Sequence, residues 1–97
     1  MRAQFTPQAE SDLEEVGDYI ALDNPQRALS FIREIRQHCE KIAVGPHHYV
    51  ARPDLGDTTR MCTHGNYLID FEPSDDGALI LRVLHGARMV PGVPGNY

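Results

Sequence analysis

Two dipeptides, Thr6-Pro7 and Asn24-Pro25, constrain the fold of this chain more than any other feature, because each marks the first turn of a helix. Threonine and asparagine side chains cap the free amides of a first turn, and proline at the next position gives up an amide that has no partner there. Apolar residues follow the first dipeptide at helical spacing, and the second begins directly after Asp23. The sequence therefore predicts two helices joined by a very short turn, which folds them into an antiparallel hairpin.

The segment after the hairpin has the turn signals and apolar runs of a small sheet. The second helix is expected from Pro25 to Val44, and an irregular stretch at 47–57 follows it. The expected strands are 2–5, 59–63, 67–72 and 78–85. The fold class is therefore α+β, with an N-terminal helical hairpin packed on one face of a small, mostly antiparallel β-sheet. We expect one domain over 1–97, with the Pro- and Gly-rich residues 89–97 as a flexible tail.

The apolar parity of the last two strands predicts how they pair. A three-residue loop at Asp75-Asp76-Gly77, with Gly77 in the left-handed conformation, places the alternating apolar side chains of both strands on the sheet face that packs against the helices. The residues expected to face inward are Ile69, Phe71, Leu81 and Val83. Asp70 then lies opposite Arg82 on the outer face of the sheet.

A second three-residue loop, at His64-Gly65-Asn66, would bring Arg60 to the same outer face. The sequence thus predicts a cluster of Arg60, Asp70 and Arg82. The apolar residues expected beside it are Leu68, Ile80 and Leu84. A sheet face left half apolar is a candidate partner surface. The alternative is that the tail or the segment 46–57 folds over it.

Charge limits what this surface does. The net charge is −5, whereas a domain that coats nucleic-acid phosphates is expected to be basic. Residues 9–23 contain acids and no base, while the bases lie later and include Arg82, His85 and Arg88.

The two cysteines, Cys39 and Cys62, have no metal-ligand spacing and are expected to be reduced thiols, so no metal or other cofactor is expected. No apolar run is long enough to span a membrane and the N-terminus lacks a signal-peptide core, so a cytosolic protein is expected.

Four segments in order resemble the ParE toxin family of the ParE/RelE superfamily. They are Asp23-Asn24-Pro25, Arg52-Pro53-Asp54-Leu55-Gly56, Gly65-Asn66-Tyr67-Leu68-Ile69 and Arg82-Val83-Leu84-His85-Gly86-Ala87-Arg88. The resemblance extends from the Thr6-Pro7 helix start to Arg88, and the last segment carries most of it. It implies a ParE/RelE-like fold and the toxin component of a bacterial type II toxin–antitoxin system.

The resemblance also implies partners and a mode of action. Such a toxin is cytoplasmic, poisons DNA gyrase by binding rather than by catalysis, and is neutralised by a ParD-like antitoxin through its partly disordered, helical C-terminal segment. It would form a hetero-oligomer, meet nucleic acid only indirectly through the antitoxin or gyrase, and need no membrane. The candidate residues for contact with target or antitoxin are Arg60, Leu68, Asp70, Ile80, Arg82, Leu84, His85 and Arg88.

Two alternatives stay open from the sequence. Asp70 stands where the family usually has an aromatic or aliphatic residue, and Met89 stands where it often has Asp, which is compatible with an attenuated toxin or an unusual antitoxin. A ribosome-dependent mRNA endonuclease of RelE type would instead use cations and a proton donor, for which Arg60, Arg82, His85 and Arg88 are candidates. These residues also have possible non-catalytic roles. Arg82 would form an ion pair with Asp70, His85 would be a hydrogen-bonded core or rim residue, and Arg88 would be solvated. The chain has one lysine, Lys41, which disfavours the nuclease.

Overall fold

The computed structural model describes residues 1–86, and in this part a helical hairpin packs on a five-stranded sheet. The elements are β1 (Arg2–Phe5), α1 (Pro7–Ala21), α2 (Pro25–Val44), a 3-10 turn (Pro46–His48), β2 (Val50–Ala51), β3 (Arg60–His64), β4 (Tyr67–Ser74) and β5 (Gly77–His85). The strand order is β1-β5-β4-β3-β2, with β1 parallel to β5 and the other pairs antiparallel. The predicted α+β class is confirmed, and the tail predicted at 89–97 lies outside the described residues.

The two helices begin where their capping residues predict. Thr6 Oγ1 accepts the amide of Ala9 at 3.0 Å, and Asn24 Oδ1 accepts the amide of Arg27 at 3.0 Å. Proline occupies the first turn of each helix, where its missing amide costs nothing. No helix in residues 1–86 is long and apolar enough to cross a membrane.

The core lies between the hairpin and one face of the sheet. Its largest fully buried side chains include Phe71, Ile35, Ile42 and Ile80. Burying each of these contributes roughly 1.5–3 kcal/mol relative to leaving it in water. The whole cluster consists of Ala9, Leu13, Ile35, Cys39, Ile42, Ala43, Ile69, Phe71, Ala78, Ile80 and Val83. The face of the sheet that carries the other parity is the outer face.

The β4–β5 hairpin corrects the predicted loop. Gly77 pairs with Ser74, so the loop has two residues, Asp75 and Asp76, and not three. Gly77 nevertheless has a positive φ, +143°, in the range that the sequence predicted for this glycine, and a Cβ there would lie too close to the Arg2 carbonyl oxygen. A bulge at Leu81 then restores the register.

The shorter loop and the bulge move two side chains. Ile80 pairs with Phe71 and is fully buried against the helices, so its predicted place on the outer face is wrong. Leu81, predicted inward, is the extra residue of the bulge. Beyond the bulge Arg82 lies opposite Asp70, as predicted, because the two one-residue errors cancel.

The β3–β4 hairpin also has a two-residue loop. His64 pairs with Tyr67, and Gly65 in the loop has φ +59°. The tighter loop shifts β3 by one residue against β4, and a shift of one residue exchanges the two faces of a strand. Met61, rather than Arg60, therefore lies opposite Asp70.

Candidate partner-binding surface

Asp70 lies at the centre of the outer face and is buried. Its side chain projects between Met61 on β3 and Arg82 on β5, and its residue exposure is 5%. Within residues 1–86, Oδ1 of Asp70 is a buried oxygen without a hydrogen-bond partner. Leu68, two residues earlier on the same face, is 9% exposed, so this face is more covered than its sequence predicts.

Arg82 does not form the ion pair with Asp70 that the sequence offered as its simplest role. Its Nε and Nη2 donate to the carboxylate of Asp12 on α1 at 2.8 and 3.0 Å. The same carboxylate accepts the backbone amide of Val83 at 2.9 Å. Asp12 is 3% exposed, and its hydrogen bonding with the Arg82 guanidinium raises the pKa of Arg82.

The end of β1 explains why Asp12 takes this place. β1 stops at Phe5, and Thr6 makes the last contacts to β5, from its amide to the Ile80 carbonyl and from Oγ1 to the Leu81 carbonyl. Farther along β5, no strand within residues 1–86 accepts a hydrogen bond from the outward amide of Val83. Helix α1 begins there and supplies the Asp12 carboxylate instead, which also draws in the guanidinium of Arg82.

A second arginine approaches Asp70 from the segment after β2. Arg52 makes two hydrogen bonds to Asp54, at 2.8 and 2.6 Å, and its Nη1 lies 3.1 Å from the sulfur of Met61. Burial raises the pKa of Asp70 to about 6, although the positive charges of Arg52 and Arg82 oppose this rise. The alternative that part of segment 46–57 covers the outer face therefore holds for Arg52.

Arg60 is not part of this group, so the predicted cluster of Arg60, Asp70 and Arg82 is wrong. Its guanidinium donates to the backbone carbonyl of Tyr49 at 2.6 Å and to that of His47 at 3.5 Å. Arg60 pairs with Phe71 because of the one-residue shift of β3. It fastens the connection before β2 to the sheet.

The other predicted contact residues fall at the end of β5. Leu84 is half-buried and His85 is exposed, with its ring edge-to-face against Tyr67 at 5.5 Å. Arg88 lies outside the described residues. Leu84 and His85 line a cleft of about 410 Å³ beside α1. Its walls are Asp12, Glu15, Val16, Tyr19, Tyr67, Val83, Leu84 and His85.

A histidine–cysteine group between α2 and β3 was not predicted. His38 Nδ1 lies 2.9 Å from Nδ1 of His64, and its Nε2 lies 3.3 Å from the sulfur of Cys62. Burial is the main cause that lowers the pKa of His38. No set of three or more His, Cys, Asp or Glu residues between 1 and 86 is arranged to hold a metal ion.

The role of Asp12 was also missed, although the sequence carries a signal for it. Ala9, Leu13 and Val16 form the buried stripe of α1, and Asp12 lies three residues after Ala9 on that stripe. An acid among buried positions needs an internal partner. Asp12 is one of six acids in residues 9–23, and the signal is easily missed because the other five fit an exposed helix face.

Comparison with known proteins gives a family and a fold. The family model described as "ParE toxin of type II toxin-antitoxin system, parDE" matches residues 3–90. A solved structure, "Chromosomal ParDE TA system from P. aeruginosa", matches with a TM-score of 0.73 and 23% sequence identity, over 88% of this chain and 95% of that chain. At that identity the structural match shows the fold. Among curated protein sequences there is no significant match.

Proposed function

The chain belongs to the ParE toxin family, and from this membership we propose that it poisons bacterial DNA gyrase and is neutralised by a ParD-like antitoxin. The family match over residues 3–90 is the observation that carries the proposal. The toxin acts in the cytoplasm, where gyrase works, and it acts by binding rather than by turnover.

The arginines of the sheet region support binding over RNA cleavage. Arg52 is bonded to Asp54, Arg60 to the Tyr49 carbonyl and Arg82 to Asp12. A nuclease would need cations directed at a phosphate and at the developing charge of the transition state. These three guanidiniums are committed to the protein itself, and the net charge of −5 works against a ribosomal RNA surface.

The cleft beside α1 supports an antitoxin segment as partner. It combines apolar walls, such as Val16 and Leu84, with the carboxylate of Glu15. An amphipathic helix with basic residues fits such a groove, and a disordered segment orders on binding there. We propose that the C-terminal segment of the antitoxin lies along this cleft and continues over the outer face near Asp70, which gives a hetero-oligomer.

Induced expression with separate readouts for the two targets tests the function. Growth arrest with accumulated gyrase–DNA cleavage complexes and intact mRNA is expected. Cleaved mRNA at ribosomes would assign the chain to the RelE-type endonucleases, and a chain without toxicity would be an attenuated toxin. Loss of toxicity in His85→Ala and Arg88→Ala would implicate these two basic residues in toxicity, whereas Arg82→Ala is uninformative because Arg82 supports the fold through Asp12.

A further inference from the structure

Asp70 is an acceptor that the described chain leaves unsatisfied. Its Oδ1 has no hydrogen-bond partner within residues 1–86, and its residue exposure is 5%. The two guanidiniums close enough to lower its pKa are those of Arg52 and Arg82. Each of them makes two hydrogen bonds to a different carboxylate. The group therefore contains three carboxylates and two guanidiniums, and one negative charge is left over.

A buried carboxylate oxygen without a donor destabilises the free protein, because it has lost its hydration and gained nothing in return. A partner that supplies a donor recovers this loss, and the recovered free energy adds to the affinity. A cationic donor fits best, because it also compensates the excess negative charge and makes a charge-assisted hydrogen bond. A neutral or acidic donor would leave the charge uncompensated.

We propose that Asp70 selects the antitoxin, by receiving an arginine or lysine side chain of the antitoxin on its unsatisfied oxygen. The inference rests on the proposed function, and it names the chemistry that the partner must carry at this point. Charge complementarity supports a basic partner both locally and over the whole chain, whose net charge is −5.

The surroundings of Asp70 suit a basic side chain with an apolar stem. Met61 lies opposite on one side and Leu84 lies two residues beyond Arg82 on the other, and both are half-buried. Methionine is unbranched and adapts to a new neighbour. Met61, whose sulfur lies 3.1 Å from Arg52 Nη1, can shift to admit the incoming group, and the stem of an arginine or lysine would pack along Leu84.

Affinity measurements on paired variants test the proposal. The probe is the antitoxin encoded beside the toxin gene, titrated at pH 7.5 into the toxin and into Asp70→Asn, Asp70→Leu and Glu72→Gln. Glu72 is the matched control, since it lies two residues along the same face and accepts from Thr58 at 3.0 Å. We expect both Asp70 variants to bind about tenfold or more weakly, and the Glu72 variant to bind like the unchanged toxin.

Each arginine and lysine of the antitoxin is then replaced by methionine. The proposal expects one of them to lose affinity against the unchanged toxin and none against Asp70→Asn, which is the signature of a direct pair. Equal affinity of the Asp70 variants and the unchanged toxin would overturn the inference while the proposed function stands. No binding by the unchanged toxin would overturn both. A toxin dimer that Asp70→Asn abolishes would make a second copy the occupant and would also overturn the inference.

Discussion

Asp70 and Arg82 lie opposite each other in the β4–β5 ladder, but the Arg82 guanidinium bonds Asp12 of α1 at 2.8 Å. Asp12 thereby has three donors, two from Arg82 and one from the Val83 amide. Asp70 is left with a buried oxygen that has no donor in the described part of the chain. Asp12 therefore stabilises the fold, whereas the charged carboxylate of Asp70 destabilises the free toxin.

Replacing Asp70 by asparagine should stabilise the free toxin at neutral pH. The pKa of Asp70 is raised to about 6, so between its unfolded value of about 3.9 and 6 the folded state binds more protons. Stability from this group is thus greatest in acid and falls as the pH rises through that window. We expect Asp70→Asn to raise the free energy of unfolding at pH 7.5 by about 1–2 kcal/mol in urea denaturation.

The difference between the two proteins should nearly vanish at pH 4, because Asp70 is then protonated and resembles asparagine. Glu72→Gln is the control on the same strand and should change the free energy of unfolding at pH 7.5 by less than about 0.5 kcal/mol, because glutamine can still accept from Thr58. An Asp70→Asn protein less stable than the unchanged toxin at pH 7.5 would show instead that the carboxylate is well paired in the folded toxin.

Replacing Asp12 by alanine should destabilise the toxin by about 2–4 kcal/mol, because the Val83 amide and the Arg82 guanidinium both lose their acceptor. Glu14→Ala is the control on the same helix, since Glu14 is exposed, and should change stability by less than about 0.5 kcal/mol. Urea denaturation measures both. Equal midpoints for the two variants would contradict the role of Asp12.

The helices could be predicted closely from sequence because the residues that cap their N-termini are neighbours in the chain. Thr6 and Asn24 make their capping bonds within three residues, and Pro25–Val44 is the helix that the sequence predicts. The four strands expected at 2–5, 59–63, 67–72 and 78–85 occur within two residues of those bounds, whereas β2 (Val50–Ala51) lies in the stretch that was expected to be irregular. Such signals depend on neighbours in the chain and need no knowledge of tertiary contacts.

The pairing of the strands could not be predicted to the residue. Loops of two and three residues are both compatible with Asp75-Asp76-Gly77, and the choice depends on Gly77, which lies too close to Arg2 of β1 for a side chain. The bulge at Leu81 occurs one residue past the last pair of β1 with β5, a contact between distant parts of the chain. Ile80 was misplaced for this reason, whereas Arg60 was misplaced because the β3–β4 loop has two residues rather than three.

The partner of Arg82 was out of reach for the same reason. Asp12 and Arg82 are separated by most of the chain, and they meet because α1 begins where β1 leaves the edge of β5. Sequence alone favoured Asp70, which is the nearest acid across the hairpin. The position of Arg82 opposite Asp70 could therefore be predicted, but the hydrogen-bond partner of Arg82 could not.

Gly77 and Gly65 should respond differently to alanine. At Gly77, with φ +143°, a Cβ would collide with the backbone of Arg2 and meet the Ala43 Cβ at 3.0 Å. At Gly65, with φ +59°, no atom lies within 4 Å of the new Cβ. We expect Gly65→Ala to cost about 1–2 kcal/mol from backbone strain alone and Gly77→Ala more than about 3 kcal/mol. Thermal or urea unfolding measures both, and equal costs would contradict the β1–β5 contact.

The pair of His38 and His64 should make the toxin less stable in mild acid. The Nδ1 atoms lie 2.9 Å apart, so one of them must be unprotonated to accept. The groups around His38 are Glu34 and Lys41 on α2 and Cys62 and His64 on β3. Burial first, and then the charges of His64 and Lys41, lower the pKa of His38 below its ordinary value of 6.5.

A base with a lowered pKa contributes stability above its unfolded pKa and loses it as the pH falls below that value. Asp70 has the opposite sign, so the test is made in the Asp70→Asn background. There, stability should fall from pH 7 to pH 5, and adding His38→Gln should reduce that fall. A steeper fall with glutamine would contradict the assignment of the effect to His38.

An assay with purified components tests directly whether gyrase is the target. The toxin is added to DNA gyrase and supercoiled or relaxed plasmid, with and without the antitoxin encoded beside it, and trapped cleavage complexes are counted as linear DNA after protease treatment. A gyrase poison of the ParE family should produce linear DNA that depends on the toxin and disappears when the antitoxin is present. Unchanged supercoiling and no linear DNA, from a toxin that arrests growth and binds its antitoxin, would contradict gyrase as the target.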